Sequence, residues 1–320
     1  MNHSATKIQI NSEIGTLRKV LLHSPGAEVE NMTPKNAQRA LYSDILNLSI
    51  AQNEYRQLSG VLSKVAEVVY VKDLLTKVLD NILERQSLIG KICISQGVTN
   101  YFDMLMQMPS AELARVLIEG LPSRMDTLTA FLNEDHYALF PLYNFYFTRD
   151  ASVTIGNHAL ICRMANKVRM RESLIMEAIY KGSGEFQCGI INAHNFQPGN
   201  KDIYMEGGDI LIAREDILLI GNGVRTSTQG IDMLVSQLCH IAPQGQKHII
   251  VQQLPSTPES FIHLDMVFTL LDHDKCMVFE PLILRDNQYQ TVHITIDNGK
   301  VSRISHAHNL PRVLKSLGMD

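Results

Sequence analysis

The sequence is poor in the features that mark secreted, membrane and metal-thiolate proteins. Its five cysteines are widely scattered and form no CxxC pair, which argues against a disulfide framework and against a thiolate zinc site. No run approaches the ~20 apolar residues of a membrane span, and the first ten residues, MNHSATKIQI, contain no apolar core of signal-peptide length. We therefore predict a cytoplasmic protein with reduced thiols at Cys93, Cys162, Cys188, Cys239 and Cys276.

An excess of basic residues is also missing. The chain has 29 Lys and Arg against 33 Asp and Glu, so a nucleic-acid partner is disfavoured and a small cationic molecule fits better. There is no P-loop and no GxGxxG fingerprint, and the pair His306 and His308 has no third metal ligand nearby in the sequence. We therefore predict neither a metal nor an organic cofactor.

Apolar residues, in contrast, are plentiful. With 320 residues, 45% of them hydrophobic, the chain can build one large core or two domains. Near its start the pattern predicts a strand from Ile14 to His23, stopped by the turn Ser24-Pro25-Gly26. A helix from about Asn36 to Ala66 and a short strand from Glu67 to Val71 are predicted to follow.

The segment 73–140 has a helical pattern throughout. Asp73 is a candidate helix cap, and a further helix is predicted from Ser110 to Gly120, where the start and stop signals agree. Because strands are predicted before and after this segment, we interpret it as an all-helical insertion. The α/β domain that it interrupts is then formed by 1–72 and 141–320.

Three similar hairpins follow, each headed by an aspartate. Asp150, Asp209 and Asp265 are 59 and 56 residues apart, and each precedes a strand, a turn and a second strand. After the first two hairpins the pattern predicts a helix and then a short strand: Arg169 to Tyr180 with Gly189 to Asn192, and Thr228 to Cys239 with His248 to Gln252. The repeat is therefore ββαβ, a unit that can close radially around an axis.

The final repeat is shorter than the others. An outer stretch from Gln290 to Ser305 and a helix from Leu310 to Gly318 follow its hairpin, and the sequence ends where another strand is due. The opening segment 14–71 resembles a more divergent copy of the same unit.

Polar side chains recur where the predicted strands begin. Glu206 and Asp209 flank two glycines, an arrangement that suits a cationic ligand or acid–base chemistry, although solvated acids on a Gly-rich turn give the same pattern. Asn144, Phe147 and Asp150 fall within NFYFTRD, where the carboxylate can accept two N–H bonds and the ring offers a face to a cation.

Two further pairs are candidates. His263 and Asp265 have strand spacing, which would place both on one face as a base with its orienting carboxylate, or as a core histidine satisfied by its neighbour. Arg169 and Arg225 each follow a hairpin and could clamp a carboxylate, although single arginines are usually surface residues.

Five motifs, in this order, resemble the bacterial arginine deiminases of the guanidine-modifying superfamily: SEIGTLRKVLLHSPG, NFYFTRD, MEGGD, GVRT and FIHLDMVF. The similarity covers essentially the whole chain, including the helical insertion. It implies a five-blade α/β propeller of ββαβ units, with the last blade incomplete here. It also implies a homo-oligomer as one possibility, L-arginine as the substrate and citrulline and ammonia as products.

The resemblance also implies roles for individual residues. Those that bind the substrate's α-carboxylate and amino end, or pack near its guanidinium plane, are Asn144, Arg169, Arg225 and Phe147. Those that act on the guanidinium are Asp150 and Asp265, which hold its N–H groups, and Glu206 and His263, which transfer protons. In the family mechanism a cysteine thiolate attacks the guanidinium carbon and forms a covalent amidino-enzyme, which water then hydrolyses.

The chain departs from the family pattern at this cysteine. The nucleophile of arginine deiminases lies near their C-terminus, and none of the five cysteines has a matching context. We therefore expect little turnover by these 320 residues alone, as either a truncated deiminase or a natural pseudoenzyme that binds guanidino compounds. Amidino transfer and agmatine hydrolysis are alternatives, but two arginines suited to a carboxylate argue against agmatine.

Overall fold

The computed structural model of the chain describes residues 5–30, 45–132, 136–196, 202–241 and 243–319. These residues form a mixed α/β fold. None of the helices among them is long and apolar enough to cross a membrane.

The strands of the described residues are, in chain order, β1 (Thr6–Lys7), β2 (Lys19–Leu22), β3 (Glu67–Tyr70), β4 (Leu121–Pro122), β5 (Tyr137–Leu139), β6 (Ser152–Ile155), β7 (His158–Ile161), β8 (Phe186–Gln187), β9 (Gly189–Asn192), β10 (Ile210–Arg214), β11 (Ile217–Asn222), β12 (Gln246–Gln253), β13 (Phe268–Asp272), β14 (Lys275–Val278), β15 (Thr291–Asp297) and β16 (Lys300–Ala307). The α-helices are α1 (Ala27–Glu30), α2 (Leu48–Leu62), α3 (Val71–Asp80), α4 (Ile82–Gln96), α5 (Phe102–Gln107), α6 (Ser110–Glu119), α7 (Leu128–Leu132), α8 (Thr148–Ala151), α9 (Met170–Gly182), α10 (Thr228–Ile241), α11 (Glu280–Ile283) and α12 (Leu310–Ser316).

The chain divides into two compact units, each assembled from separate stretches of sequence. The first unit contains 17–148 and 166–187 with the short stretch up to Thr6. The second contains 7–16, 149–165 and the residues from 188 onward.

In the first unit, β2 and β3 pair in parallel, with Lys19 opposite Glu67. The strand predicted from Glu67 is confirmed, whereas the strand predicted from Ile14 is shorter, since β2 begins only at Lys19. Of the helix predicted from Asn36, α2 is described, and the residues 31–44 lie outside the described part of the chain. The Asn47 side chain caps α2 by accepting the Ile50 N–H at 3.2 Å.

The helices from α3 to α6 supply the core of the first unit. Their fully buried side chains lie at helical spacing and include Leu74, Leu75, Leu79, Ile89, Ile92, Leu113 and Leu117. The predicted stop of α6 at Gly120 is confirmed. Asp73, however, lies in the first turn of α3 and does not cap it, because the helix already begins at Val71. The antiparallel pair β4–β5 was not part of the all-helical prediction.

In the second unit the three predicted hairpins are confirmed as β6–β7, β10–β11 and β13–β14, all antiparallel. After each of the first two, the chain passes through a helix, α9 of the first unit or α10 of the second, and returns as a strand parallel to the second strand of the hairpin. Thus β9 pairs with β7 and β12 with β11. The ββαβ order predicted for these two repeats is confirmed.

The outer stretch belongs to a different sheet from the one predicted. Strands β15 and β16 form a hairpin whose β15 pairs antiparallel with the second edge of β12, so the sheet order is β10-β11-β12-β15-β16. Assigning this stretch to the final repeat was therefore wrong. A parallel strand leaves its far edge open to any extended segment, and sequence distance does not decide which one pairs there.

One apolar cluster joins β10, β11 and β12 to the β13–β14 hairpin, α11 and α12. Its buried residues are Leu211, Ala213, Ile217, Leu219, Ile250, Leu254, Leu264, Val267, Phe268, Leu270, Leu282, Ile283, Leu310, Val313 and Leu314. Since this cluster packs one face of the strands that follow Asp209 and Asp265, it fixes the strand ends where the candidate residues lie.

Candidate functional site

Each of the three repeated aspartates lies in a short helical turn just before its hairpin. Asp150 is in α8, Asp209 in the 3-10 turn Gly207–Asp209, and Asp265 in the 3-10 turn Leu264–Met266. The strand spacing predicted for His263 and Asp265 is therefore wrong. His263 is extended, but the chain turns directly after it, so the two side chains do not alternate along a strand.

His263 lies between two carboxylates of the second unit. Its Nε2 is 3.1 Å from Glu206 Oε2, and its Nδ1 is 3.9 Å from Asp150 Oδ1. Glu206 is fully buried, and its other oxygen accepts the Ala165 N–H at 3.1 Å. Burial lowers the pKa of His263, but the hydrogen bond to Glu206 and the charges of Asp209 and Asp150 outweigh burial and raise it to about 9. The imidazole is therefore protonated at neutral pH.

The two glycines of MEGGD are required by close approach. A Cβ on Gly207 would lie 1.9 Å from the Arg149 carbonyl oxygen, which is backbone and cannot yield. A Cβ on Gly208 would lie 2.7 Å from His263 Nδ1 and 3.2 Å from Asp150 Oδ1. The missing side chains leave space for His263 to lie against this turn.

Asp209 holds the two halves of the site together. Its fully buried carboxylate accepts the Thr226 hydroxyl at 2.6 Å and the Leu264 N–H at 3.0 Å, and the same hydroxyl accepts the Glu206 N–H at 3.2 Å. Burial raises the pKa of Asp209 to about 7, against the lowering effects of His263 and of both hydrogen bonds. From the sequence, Asp209 was predicted both as a carboxylate beside Glu206 and as a member of the repeat, whereas Thr226 was not singled out, although GVRT contains it.

Arg149, like Thr226, was not among the site residues predicted from the sequence. Its guanidinium donates to both carboxylate oxygens of Glu13, at 2.7 and 3.2 Å, and to the carbonyl oxygens of Gly207 and Ile210, at 3.2 and 2.6 Å. It therefore fixes the turn that precedes β10. Its position directly before Asp150 was the only signal in the sequence.

Arg225 and Asp265 complete the second-unit group. Arg225 Nη1 is 3.6 Å from Glu206 Oε1. Asp265 is exposed, and its pKa is raised by the protein packed around its carboxyl and by the charge of Asp150, although His263 opposes the shift. The second unit thus brings Glu206, His263 and Asp150 into one electrostatic group with these two residues at its border.

The remaining candidates, Asn144, Phe147 and Arg169, belong to the first unit. The buried Arg169 guanidinium pairs with Glu172, with Nε 3.1 Å from each carboxylate oxygen, and Nη2 donates to the Asn144 carbonyl oxygen at 3.2 Å. Phe147 is half-exposed, and its ring centroid is 4.3 Å from that of Tyr146. The backbone carbonyl of Asn144 is therefore hydrogen-bonded to Arg169.

The cysteines do not supply an ionised thiol to either group. Cys162 is fully buried, and burial together with the charge of Glu206 raises its pKa well above the ordinary value. Burial also raises the pKa of the other four thiols, at Cys93, Cys188, Cys239 and Cys276. Within the described ranges, no three His, Cys, Asp or Glu side chains converge to hold a metal ion.

Comparison with protein families and with curated proteins gives one consistent result. A family model described as arginine deiminase matches residues 38–319. Arginine deiminase 1 of Staphylococcus epidermidis is 32% identical over 306 residues, which are 92% of this chain and 74% of that protein. Arginine deiminase of Limosilactobacillus reuteri is 33% identical over 327 residues, 96% of this chain and 77% of that protein.

Solved structures give weaker similarity. A DDAH variant from Pseudomonas aeruginosa in complex with citrulline has a TM-score of 0.47 at 13% identity and covers 82% of this chain and 70% of that one. The N-terminal domain of ArgZ bound covalently to a reaction intermediate also has a TM-score of 0.47, at 14% identity, over 82% of this chain and 67% of that one.

Proposed function

Because the chain belongs to the arginine deiminase family, we propose that its substrate is L-arginine and that the reaction of the complete site gives L-citrulline and ammonia. The observation that carries this proposal is His263, protonated between the carboxylates of Glu206 and Asp150. A buried, anionic group with one proton to donate suits a cationic guanidinium from which ammonia must leave.

In this proposal Asp150 and Asp265 accept the guanidinium N–H groups, and Glu206 and His263 move protons. His263 begins protonated and donates its proton to the departing nitrogen, while Glu206 holds the imidazole in place through Nε2. Burial, and to a smaller extent the charge of Asp150, raise the pKa of Asp265, and a bound cation would favour the ionised form of its carboxyl.

The substrate's α-carboxylate and amino end are assigned to Asn144, Arg169 and Arg225, with Phe147 near the guanidinium plane. For Arg169 this role requires sharing its guanidinium between Glu172 and the substrate. For Arg225 the substrate carboxylate would join Glu206 as an anionic partner. Planar guanidinium groups with several N–H donors can serve two acceptors in this way.

The chemistry proposed for the family proceeds through a covalent amidino-cysteine, and the five cysteines of this chain do not support that step. Thiolate is the attacking form, and the pKa of every one of these thiols is raised. We therefore propose that these 320 residues alone have little or no turnover. The same observation favours a second candidate, a catalytically dead protein that binds arginine or another guanidino compound.

The proposed organisation is a five-blade propeller of ββαβ units with a helical insertion, formed by 1–72 and 141–320 around 73–140. The two complete ββαβ repeats and the third hairpin support it. A homo-oligomer is part of the proposal because insertion helices expose apolar residues such as Leu83 (72%) and Ile94 (76%). The five unpaired cysteines support a cytoplasmic location.

Two assays on the purified chain test the proposal together. Calorimetry should show binding of L-arginine that is at least about tenfold tighter than that of agmatine, a difference of roughly 1.4 kcal/mol, because agmatine has no carboxylate for the arginines. A citrulline assay should show no turnover above background. Ordinary deiminase rates would overturn the thiol argument, and a folded chain that does not bind arginine would overturn the substrate assignment.

The same assays on the product of the natural gene separate the two candidates. Citrulline from that product supports the deiminase and excludes a dead binding protein. Arginine binding without citrulline supports the binding protein. Equal processing of agmatine and arginine would instead favour a different guanidine-modifying reaction, of which amidino transfer is one.

A further inference from the structure

The second unit contains a cavity of about 290 Å³ at the turn ends of its first two hairpins. Strand β10 begins beside Asp209, and its last residue, Arg214, lines the cavity. Ile212, three residues after Asp209, lines it as well, so at roughly 3.3 Å per residue the cavity begins on the order of 10 Å along the chain from the candidate site. It shares no lining residue with that site, and the arginine proposal does not account for it.

Eight of the nineteen residues that line the cavity are aliphatic. Ile10 comes from the segment before β2, Ile155 from β6, Leu218 and Ile249 from adjacent strands, and Leu238 from α10. Leu218, Leu238 and Ile249 are buried, and Ile10 is held against the β6–β7 turn by backbone bonds of 2.8 Å to and from Gly156. Walls of this kind, contributed by separate elements, favour an apolar ligand body.

The charged groups at the cavity leave a positive balance. Arg214 and Asp216 neutralise one another through two bonds, from Nε to Oδ1 at 2.6 Å and from Nη2 to Oδ2 at 2.9 Å. The ammonium groups of Lys7 and Lys247 have no hydrogen bond or ion pair to any part of the chain that the structure describes. Only the exposed Glu215 opposes them.

The two histidines that line the cavity add polarity without charge. Burial lowers the pKa of His158 and of His248, so both are neutral at pH 7. His248 is bonded to His293, with 2.9 Å between Nδ1 and Nε2. The cavity therefore presents aliphatic side chains, neutral imidazoles, the amides of Gln9, Asn11 and Asn157, and two ammonium groups against one unpaired carboxylate.

We propose that this cavity is a binding site for a small monocarboxylate with a branched or cyclic aliphatic body. The body fills the space between Ile155, Leu218 and Leu238, and the carboxylate lies between Lys7 and Lys247. A doubly charged phosphate fits less well, because the charged groups that line the cavity leave a surplus of only one positive charge. The volume is at the lower end of the ~300–1,000 Å³ range of ligand pockets, which limits the ligand to a small one.

An NMR titration of the whole chain with cyclohexanecarboxylate tests this proposal. Cyclohexanecarboxamide and cyclohexylmethylamine serve as the neutral and cationic probes of similar shape. We expect the carboxylate to bind with a dissociation constant on the order of 1 mM, the amide at least about fivefold more weakly, and the amine not at all. Binding of the amine equal to that of the carboxylate would overturn the proposal, as would the absence of any carboxylate binding at 20-fold higher concentration, about 20 mM.

Variants locate the bound carboxylate. Lys247→Gln should weaken binding at least fivefold, whereas Lys300→Gln, on the exposed strand β16, should leave it unchanged. Ile241→Trp, which fills the cavity from the half-buried end of α10, should abolish binding while a thermal melt shows that the protein is still folded. Unchanged affinity in either cavity variant would refute the assignment. Competition by L-arginine would also refute it, since it would show that the carboxylate binds at the candidate arginine site and not in the cavity.

Discussion

His263 connects the candidate site to the stability of the fold through its proton. It is 6% exposed, and its pKa is raised from 6.5 to about 9 because Glu206 and the neighbouring aspartates stabilise the imidazolium. A group whose pKa is higher in the folded state than in the unfolded state stabilises the fold fully below the unfolded value. That stabilisation is lost as the pH rises through the folded value.

We therefore predict that replacing His263 by Asn costs most stability in acid and least in base. The raised pKa corresponds to a contribution of about 3 kcal/mol to the unfolding free energy. This contribution should be lost as the pH rises from ~6.5 to ~9.5. Urea unfolding of both proteins at pH 6, 7.5 and 9.5 measures it. His273→Asn, on the exposed turn between β13 and β14, is the control and should change the unfolding free energy little at any pH. A cost for His263→Asn that stays constant with pH would contradict the prediction.

The sequence could identify Glu206, His263 and Asp150 as candidates because charged residues beside apolar runs are conspicuous. It could not place His263 between the two acids, since Glu206 and His263 are 57 residues apart and their contact depends on packing of separate hairpins. The structural role of Asp209 could not be predicted for a related reason. A carboxylate that bonds a hydroxyl and a backbone N–H inside the protein has no local pattern to reveal it.

Among the elements, α6 shows how a single backbone angle determines where a helix ends. Gly120 follows its last residue with φ 99°, and a Cβ there would lie 2.9 Å from the Leu139 carbonyl oxygen. Only glycine adopts this conformation without strain, and the close carbonyl belongs to β5, so glycine also permits the pairing of β4 with β5.

Gly120→Ala should therefore lower the unfolding free energy by about 1–3 kcal/mol. Gly90→Ala, in the middle of α4 with open space around its Cβ position, is the matched control. Alanine favours a helix by up to ~1 kcal/mol over glycine, so the control should be neutral or stabilising. Chemical unfolding followed by circular dichroism gives both values, and equal effects in the two variants would refute the argument.

Sequence periodicity predicted some of these elements better than others. The hairpins were predicted well, because the turn residues and the alternating apolar runs that specify a hairpin lie within a few positions of each other. The strand before Ser24 began later than predicted, and β15 paired with a strand outside its own repeat. Both depend on which backbone edge is free in the folded protein, and no local propensity encodes that.

At the scale of the whole molecule, Glu13 joins segments that are far apart in the sequence. It accepts two bonds from Arg149 and the Ile212 N–H at 2.9 Å, and its own N–H donates to the Ile212 carbonyl oxygen at 2.8 Å. The segment 7–16 is thereby joined to two later segments of the second unit. Its removal leaves Arg149, which is only partly exposed, without its carboxylate.

We predict that Glu13→Ala destabilises the protein by about 1–3 kcal/mol, because charged donors lose their partner. Glu54→Ala, on the exposed face of α2, should have an effect within about 0.5 kcal/mol. Thermal unfolding of both variants measures the difference. If Glu54→Ala lowered the unfolding free energy as much as Glu13→Ala, the stabilising role of the Glu13 bonds would be refuted.

The bond between Glu13 and Ile212 can form only late in biosynthesis. The two residues are 199 positions apart, and a ribosome that adds ~5–20 residues per second needs about 10–40 s to travel from one to the other. During that interval the N-terminal segment has left the ribosome while its partner strand has not yet been made. A nascent chain of this protein therefore carries the segment around Glu13 without its partner until β10 has been synthesised.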